Sequence, residues 1–145
     1  NRLSASSDSN FCFEKNGGEC AMYFSGPMDT DYNYVDFDSF KLNLSVGKTS
    51  KVSYASEIKT NSNKGSDNVT VEVANESNKD LALIHLSVVY YDASDNIIGY
   101  EYTYANATDA GAVNYTSLPF PYKSDNYTAI IPSGYKVYVD YAYMW

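Results

Sequence analysis

Histidine occurs once in this 145-residue chain, tryptophan once, cysteine twice and proline four times. One histidine and two cysteines leave too few soft ligands for a zinc site, which wants Cys and His in close pairs. A Ser-His-Asp relay needs its base beside a nucleophile, and no G-x-S-x-G elbow accompanies His85. The parity of His85, opposite to Ile84 and Leu86, puts it on the second face of a strand. Phosphate-cradling glycine loops are absent as well. The glutamates Glu14, Glu19, Glu57, Glu72, Glu76 and Glu101 could pair for glycoside hydrolysis, but any acidic β-protein offers such pairs. The chain reads as non-catalytic.

Basic charge is also scarce. Ten Lys and Arg stand against 18 Asp and Glu, for a net charge of −8, and the scattered cations form no stripe able to neutralise phosphates. Nucleic acid is excluded as a partner, and anionic lipid is disfavoured. The longest apolar runs, such as Leu81 to Ile84 and Ala129 to Ile131, are strand-sized, far short of the roughly 18 to 20 residues that cross a bilayer as a helix. No membrane span is expected. The start at Asn1, not Met, suits a chain from which a signal peptide, lipid anchor or preceding domain has been removed.

What the chain has in quantity is tyrosine, 16 in all, several at period two, as in Tyr100, Tyr102, Tyr104 and Tyr141, Tyr143. Period two is the mark of strands. Val69, Val71 and Val73 alternate with polar residues, and after the Asn75 to Asp80 turn Ala82, Ile84, Leu86, Val88 and Tyr90 face one way. These predict two antiparallel strands with their core face identified. Further strands are expected over Phe40, Leu42, Leu44 and Val46, around Val52, Tyr54 and Ile58, over Ile98 to Tyr104, Val113 to Leu118, Tyr127 to Ile131 and Tyr135 to Trp145. NSNKGSD, between Thr60 and Asn68, and Asp92 to Asn96 read as turns. The total is roughly eight to ten strands with no convincing helical period. The fold class is therefore all-β, an antiparallel β-sandwich of immunoglobulin-like character, with a closed barrel as the alternative.

Residues 1–10 read as a flexible terminus and 11–145 as a single β-sandwich domain, the other division being an annex 11–47 on a core 48–145. Cys12 and Cys20 flank Asn16-Gly17-Gly18, strong hairpin-turn chemistry, which brings their sulfurs together as an N-terminal disulfide-stapled β-hairpin. The bridge would be worth about 2.5 kcal/mol and places the chain in an oxidising compartment. The alternative is a pair of buried reduced thiols. Six Asn-x-Ser/Thr triplets begin at Asn43, Asn68, Asn75, Asn106, Asn114 and Asn126. They are glycan acceptors in a eukaryotic secreted protein and a matter of composition in a bacterial one, the reading preferred.

Two clusters carry candidate binding chemistry. Asp29, Asp31, Asn33 and Asp36, with Asp38, could converge on calcium as hard oxygen ligands, although Tyr34 and Phe40 stand where the helix-flanked calcium loop needs Gly and Glu. The plainer reading is a solvated acidic connection, with no cofactor. Tyr100, Tyr102 and Tyr104, with Trp145, could form an aromatic platform for a sugar or a protein. On the last strand, Tyr135, Val137, Val139, Tyr141 and Tyr143 share a parity that the valines mark as core-facing.

The stretch Val69 to Ile98 resembles the FxLYD-type domains, immunoglobulin-like modules of Gram-positive bacterial secreted proteins and lipoproteins. The resemblance rests on V-x-V-x-N-x-S at Val71 to Ser77, the long strand that follows, and Tyr91-Asp92 opening a turn; Val88 and Tyr90 replace that family's Phe and Leu. It implies an extracellular or cell-surface, non-catalytic module, with no site residues to transfer. The function expected is adhesion, display or protein-protein contact, the partner being an extracellular protein. The alternative is a carbohydrate-binding module, calcium-supported, with a glycan as partner.

Overall fold

The computed structural model describes residues 19–36, 38–45, 47, 52–106, 108–123 and 127–144. They fall into two units, one within 22–47 and the other comprising 19–21 and 52–144. Six strands belong to the second unit: β1 Ile58–Lys64, β2 Asn68–Asn75, β3 Leu83–Tyr91, β4 Ile97–Ala105, β5 Val113–Pro119 and β6 Gly134–Tyr143. A short 3-10 turn, Ala55–Glu57, leads into β1. All pairings are antiparallel, in two three-stranded sheets ordered β1-β2-β5 and β4-β3-β6. The chain is all-β, as its periodicity indicates, and no α-helix occurs among the described residues.

The valines of β2 and the aliphatic residues of β3 do what their alternation predicts. Val69, Val71, Val73, Ile84, Leu86, Val88 and Tyr90 are all fully buried and belong to one cluster with Leu118, Phe120, Ala105, Ala142 and Ile58. Both sheets contribute to that cluster, so each turns one face to a common interior, the arrangement of a β-sandwich. Each such aliphatic side chain contributes about 1.5–3 kcal/mol by leaving water. Tyr90 also crosses the core with its hydroxyl, which donates to the carbonyls of Leu118 at 3.0 Å and Pro119 at 2.8 Å. Its ring meets Phe120 edge-on at 5.7 Å. Burial pushes the Tyr90 hydroxyl well above the usual phenol range, as a buried donor should be.

Four expectations of where strands and turns lie are corrected, the first being that Val52 and Tyr54, expected on one strand with Ile58, lie in no strand and lead into the Ala55–Glu57 turn, so that β1 begins at Ile58. Residues 40–45 form no strand, and Phe40, Leu42 and Leu44 are exposed; alternation suits a strand but cannot supply a partner. Around 127–131 there is only an isolated bridge of Ala129 to Tyr122, with Tyr127 at φ 54°. Conversely Asn61 to Lys64, expected as turn, completes β1 in register with Val69 to Glu72. Thr60, Ser62 and Lys64 share the parity of Ile58, and two of them meet polar partners: Ser62 Oγ lies 3.2 Å from the Tyr135 hydroxyl, and Lys64 donates to the Pro132 carbonyl. A lysine on an edge strand also discourages pairing with another chain.

The β3–β4 hairpin turns on Asp92. Asp95 N donates to the Asp92 carbonyl at 3.2 Å, Asp92 N to the Asn96 carbonyl at 3.0 Å, and Asp95 takes φ 61°. This is a type I turn followed by a left-handed residue. The Asp92 carboxylate accepts from Ser94 N, Asn96 N and Asn96 Nδ2 at 2.8–2.9 Å. Those donors, the Asn96 side chain foremost, hold it below the ordinary aspartate range.

Asn75 closes the opposite end. Its Nδ2 lies 2.9, 3.1 and 3.0 Å from the carbonyls of Lys79, Thr108 and Asp109, and its Oδ1 accepts from Ser77 N at 3.1 Å and Ser77 Oγ at 2.6 Å. The residue is fully buried, so its triplet is occupied structurally in the folded chain. Asn75→Ala should lower unfolding stability by about 2–3 kcal/mol, the cost of stranding buried carbonyls, and Asn75→Asp at least as much. Urea denaturation checks this; a loss under about 0.5 kcal/mol, the scale of a surface substitution, would contradict it.

Candidate functional site

The outer faces of the two sheets differ in kind. On β1-β2-β5 the outward residues are mostly polar, Lys59, Asn61, Asn63, Asn68, Thr70, Glu72 and Ser117, with Ala74, Val113, Tyr115 and Pro119 among them, and the Tyr115 hydroxyl donates to Glu72 Oε2 at 2.6 Å. That is an ordinary solvated surface. On β4-β3-β6, Tyr104, Tyr102 and Tyr100 of β4 stand opposite His85, Ser87 and Val89 of β3, all on the side away from the core. The tyrosine stripe of β4 is therefore outside: Tyr102 is 56% and Tyr104 49% exposed, and Tyr100 is half-buried.

A β-bulge extends the patch. His85 pairs with Tyr141 and Leu86 with Val139, so Asp140 is an extra residue in β6. Before it, Tyr135, Val137 and Val139 pack against the core; after it, Ala142 does, fully buried. Tyr141 and Tyr143, expected inside on the parity of Val137 and Val139, are thereby moved to the outer face, because one inserted residue exchanges the two faces of everything that follows. The hints were present in sequence, in a small apolar Ala142 on the supposedly polar parity and an aspartate amid valines.

Asp140 is held by β3. His85 Nδ1 lies 2.8 Å from Asp140 Oδ2, and Ser87 Oγ donates to Oδ1 at 3.0 Å. The carboxylate and the hydroxyl are buried and the imidazole nearly so. Residue types of a hydrolytic relay meet here in a different order: the serine hydroxyl and the imidazole both face the carboxylate, and the hydroxyl donates to it in place of the imidazole. What the arrangement does is fix the imidazole plane. Around it His85 stacks on Tyr141 at 4.8 Å and 5°, on Tyr102 at 5.3 Å and 25°, and meets Tyr104 edge-on at 5.0 Å. Tyr143 continues the row from Tyr141 at 5.9 Å and 20°, and Tyr102 contacts Tyr104 at 6.2 Å and 81°.

The centroid spacings near 5 Å match the strand spacing of about 4.8 Å. The inner rings thus stand upright on the sheet and cover one another's faces, each pair worth about 0.5–1.5 kcal/mol. Among the described residues these rings form no flat, coplanar platform. Beyond the rings, Lys136 lies 5.1 Å over the Tyr138 ring and pairs with Glu19. Trp145, proposed for the platform, and Cys12 lie outside the described residues. Cys20 is described, and no free cysteine occurs among the described residues.

The acidic loop is built like the β3–β4 turn. Tyr32 N donates to the Asp29 carbonyl at 3.3 Å, Asp29 N to the Asn33 carbonyl at 2.9 Å, and Tyr32 takes φ 64°. Asp29 Oδ1 accepts from Asp31 N and Asn33 N at 2.9 Å, and Asn33 Nδ2 lies 3.2 Å from Oδ2. The donors from Asn33 hold the Asp29 carboxyl below its ordinary range. Asp31 and Asp36 are exposed. No group of three or more His, Cys, Asp or Glu side chains placed to hold a metal occurs among the described residues. Neither is any helix there long and apolar enough to cross a membrane.

No family model, no curated protein and no solved structure matches the chain.

The ring array has a measurable electrostatic consequence. Burial, then the neighbouring Tyr104 hydroxyl, pushes Tyr141 up to about 12. A raised folded value favours the neutral phenol, so this contribution to stability is complete below about pH 10 and is lost as pH rises toward 12. With tyrosine labelled at the ring carbon bearing the hydroxyl, the Tyr141 midpoint should stand well above that of an ordinary phenol. Tyr104→Phe should bring its midpoint down; an unchanged midpoint would break the link between the two hydroxyls.

For the acidic loop, millimolar calcium should leave the melting temperature unchanged, because a cation would have to displace the N–H donors already on Asp29. A rise that Asp29→Asn abolishes would establish a calcium site in this loop.

Proposed function

We propose that the chain is a non-catalytic, immunoglobulin-like β-sandwich module of a bacterial secreted or cell-surface protein, acting in adhesion, display or protein-protein contact through the outer face of β4-β3-β6. The observation that carries this reading is the concentration of Tyr100, Tyr102, Tyr104, Tyr138, Tyr141, Tyr143 and His85 on one outward sheet face, whereas the outer face of the other sheet is mostly polar and holds one aromatic ring, Tyr115. A solvated face has no use for so many rings, whereas tyrosine is the side chain that binding surfaces favour, with a large rigid area and one polar tip. The likeness of Val69 to Ile98 to FxLYD-type domains and a Cys12–Cys20 bridge both fit an extracellular setting.

The second reading, a carbohydrate-binding module, draws support from the exposure of Tyr102 and Tyr104. Upright stacking weighs against it, since pyranose rings lie on open aromatic faces and the interior faces here are taken by neighbours. Calcium would enter only through the Asp29 loop.

Arrays of purified extracellular proteins and of glycans, probed with the chain, with Tyr102→Ser/Tyr104→Ser and with Tyr115→Ser on the opposite sheet, separate the readings. Protein binding that falls at least about tenfold in the double variant alone is the expected result. Binding confined to glycans would transfer the assignment to the second reading. Hits indifferent to Tyr102 and Tyr104 would refute the face as the binding surface.

A further inference from the structure

Resting on the reading of the β4-β3-β6 outer face as the binding surface, we propose that its occupant is a basic polypeptide segment that lays arginine or lysine side chains against Tyr102 and Tyr104. Charge is the first ground. The chain carries −8 overall, and the outward residues of this face include one lysine, Lys136, which is committed to Glu19. The buried Asp140 carboxylate lies beneath the rings, satisfied by His85 and Ser87. An acidic segment would meet repulsion here and a neutral one would gain only apolar burial, while a cation is also drawn in by the field of the whole chain.

The second ground is geometric. The face already holds one cation in the way proposed, with Lys136 Nζ 5.1 Å from the centroid of Tyr138, inside the roughly 6 Å over which a ring quadrupole attracts a cation. Tyr102 and Tyr104 are suited to hold another from outside. They lie on β4, the edge strand of the sheet among the described residues, and both keep about half their surface in solvent, 56% and 49%. The interior rings lack that opening, because His85 and Tyr141 cover each other at 4.8 Å. Arginine suits the site best, since its flat, weakly hydrated guanidinium stacks on an aromatic face.

The test is titration calorimetry at physiological salt with an oligo-arginine peptide, an oligo-glutamate peptide and a cello-oligosaccharide. Tyr102→Leu/Tyr104→Leu keeps the charge and the apolar bulk but removes the ring quadrupole, whereas Tyr102→Phe/Tyr104→Phe keeps it. The expected result is oligo-arginine binding, weakened by about tenfold in the leucine pair and within about twofold in the phenylalanine pair, with no oligo-glutamate binding. Should the leucine pair fail to fold, Tyr102→Leu alone, the more exposed position, carries the comparison with a loss of about threefold. Equal oligo-arginine affinity in the wild type and the leucine variants would overturn the inference, leaving only attraction to net charge. If those variants lose binding to the sugar or to an acidic array protein while oligo-arginine is unaffected, the binding face stands and the basic occupant falls. If they alter no binding at all, both fall.

Discussion

The carboxylate of Asp140, accepting from Ser87 Oγ and held 2.8 Å from His85 Nδ1, anchors one extra residue in β6, and the facing of both halves of that strand follows from it. Ahead of the bulge, Tyr135, Val137 and Val139 pack on the core; behind it, Ala142 does. Only because the register slips there can Tyr141 and Tyr143 join the outer rings while the strand still closes the sandwich. A regular strand would direct Tyr141 and Tyr143 into an interior already filled by Ile84 and Leu86. The same three side chains orient the imidazole on which Tyr102, Tyr104 and Tyr141 converge. Packing and surface chemistry are thus set by one polar cluster.

Elsewhere buried polar groups serve closure. Asn75 ties the end of β2 to two loops through every hydrogen-bonding atom of its amide, and Tyr90 joins β3 to the end of β5 through its hydroxyl. The described residues contain no buried side-chain nitrogen or oxygen without a partner. In a sandwich of two three-stranded sheets the central strands supply most of the apolar burial, so polar atoms near its ends must each be satisfied to avoid a cost of about 1–3 kcal/mol apiece.

The division between central and edge strands explains what could be read from the sequence. β2 and β3 are the central strands, their inner faces lie wholly in the core, and Val69, Val71, Val73 and Ile84 to Tyr90 alternate cleanly. Edge strands face a margin reached by water. The residues of their inward parity mix Ile58 with Thr60, Ser62 and Lys64, place Glu101 and Thr103 opposite Val88 and Leu86, and pair Asn114 and Thr116 with Val73 and Val71. Period two is then no longer a period in hydrophobicity, which is why Asn61 to Lys64 passes for a turn and the inward face of β4 is ambiguous. The tyrosine stripe Tyr100, Tyr102, Tyr104 could be named from spacing but not assigned a side. Its partners Tyr141 and Tyr143 were hidden by an insertion that leaves almost no compositional trace.

The acidic loop carries a related lesson about carboxylates. Asp29 to Asn33 and Asp92 to Asn96 share D-x-x-x-N, and they share the turn: a left-handed fourth residue, and a carboxylate facing the N–H groups two and four positions on. Acidic residues two apart suit a cation only when their oxygens are unsatisfied, and in each loop the leading aspartate is already bound by its own backbone. The acid count of the chain therefore acts chiefly as a field. An exposed aromatic face invites self-association, and a charge of −8 opposes it by repulsion between copies. The same charge leaves the rings open to a partner of opposite sign, so the excess of acid over base and the tyrosine face act as one selective surface.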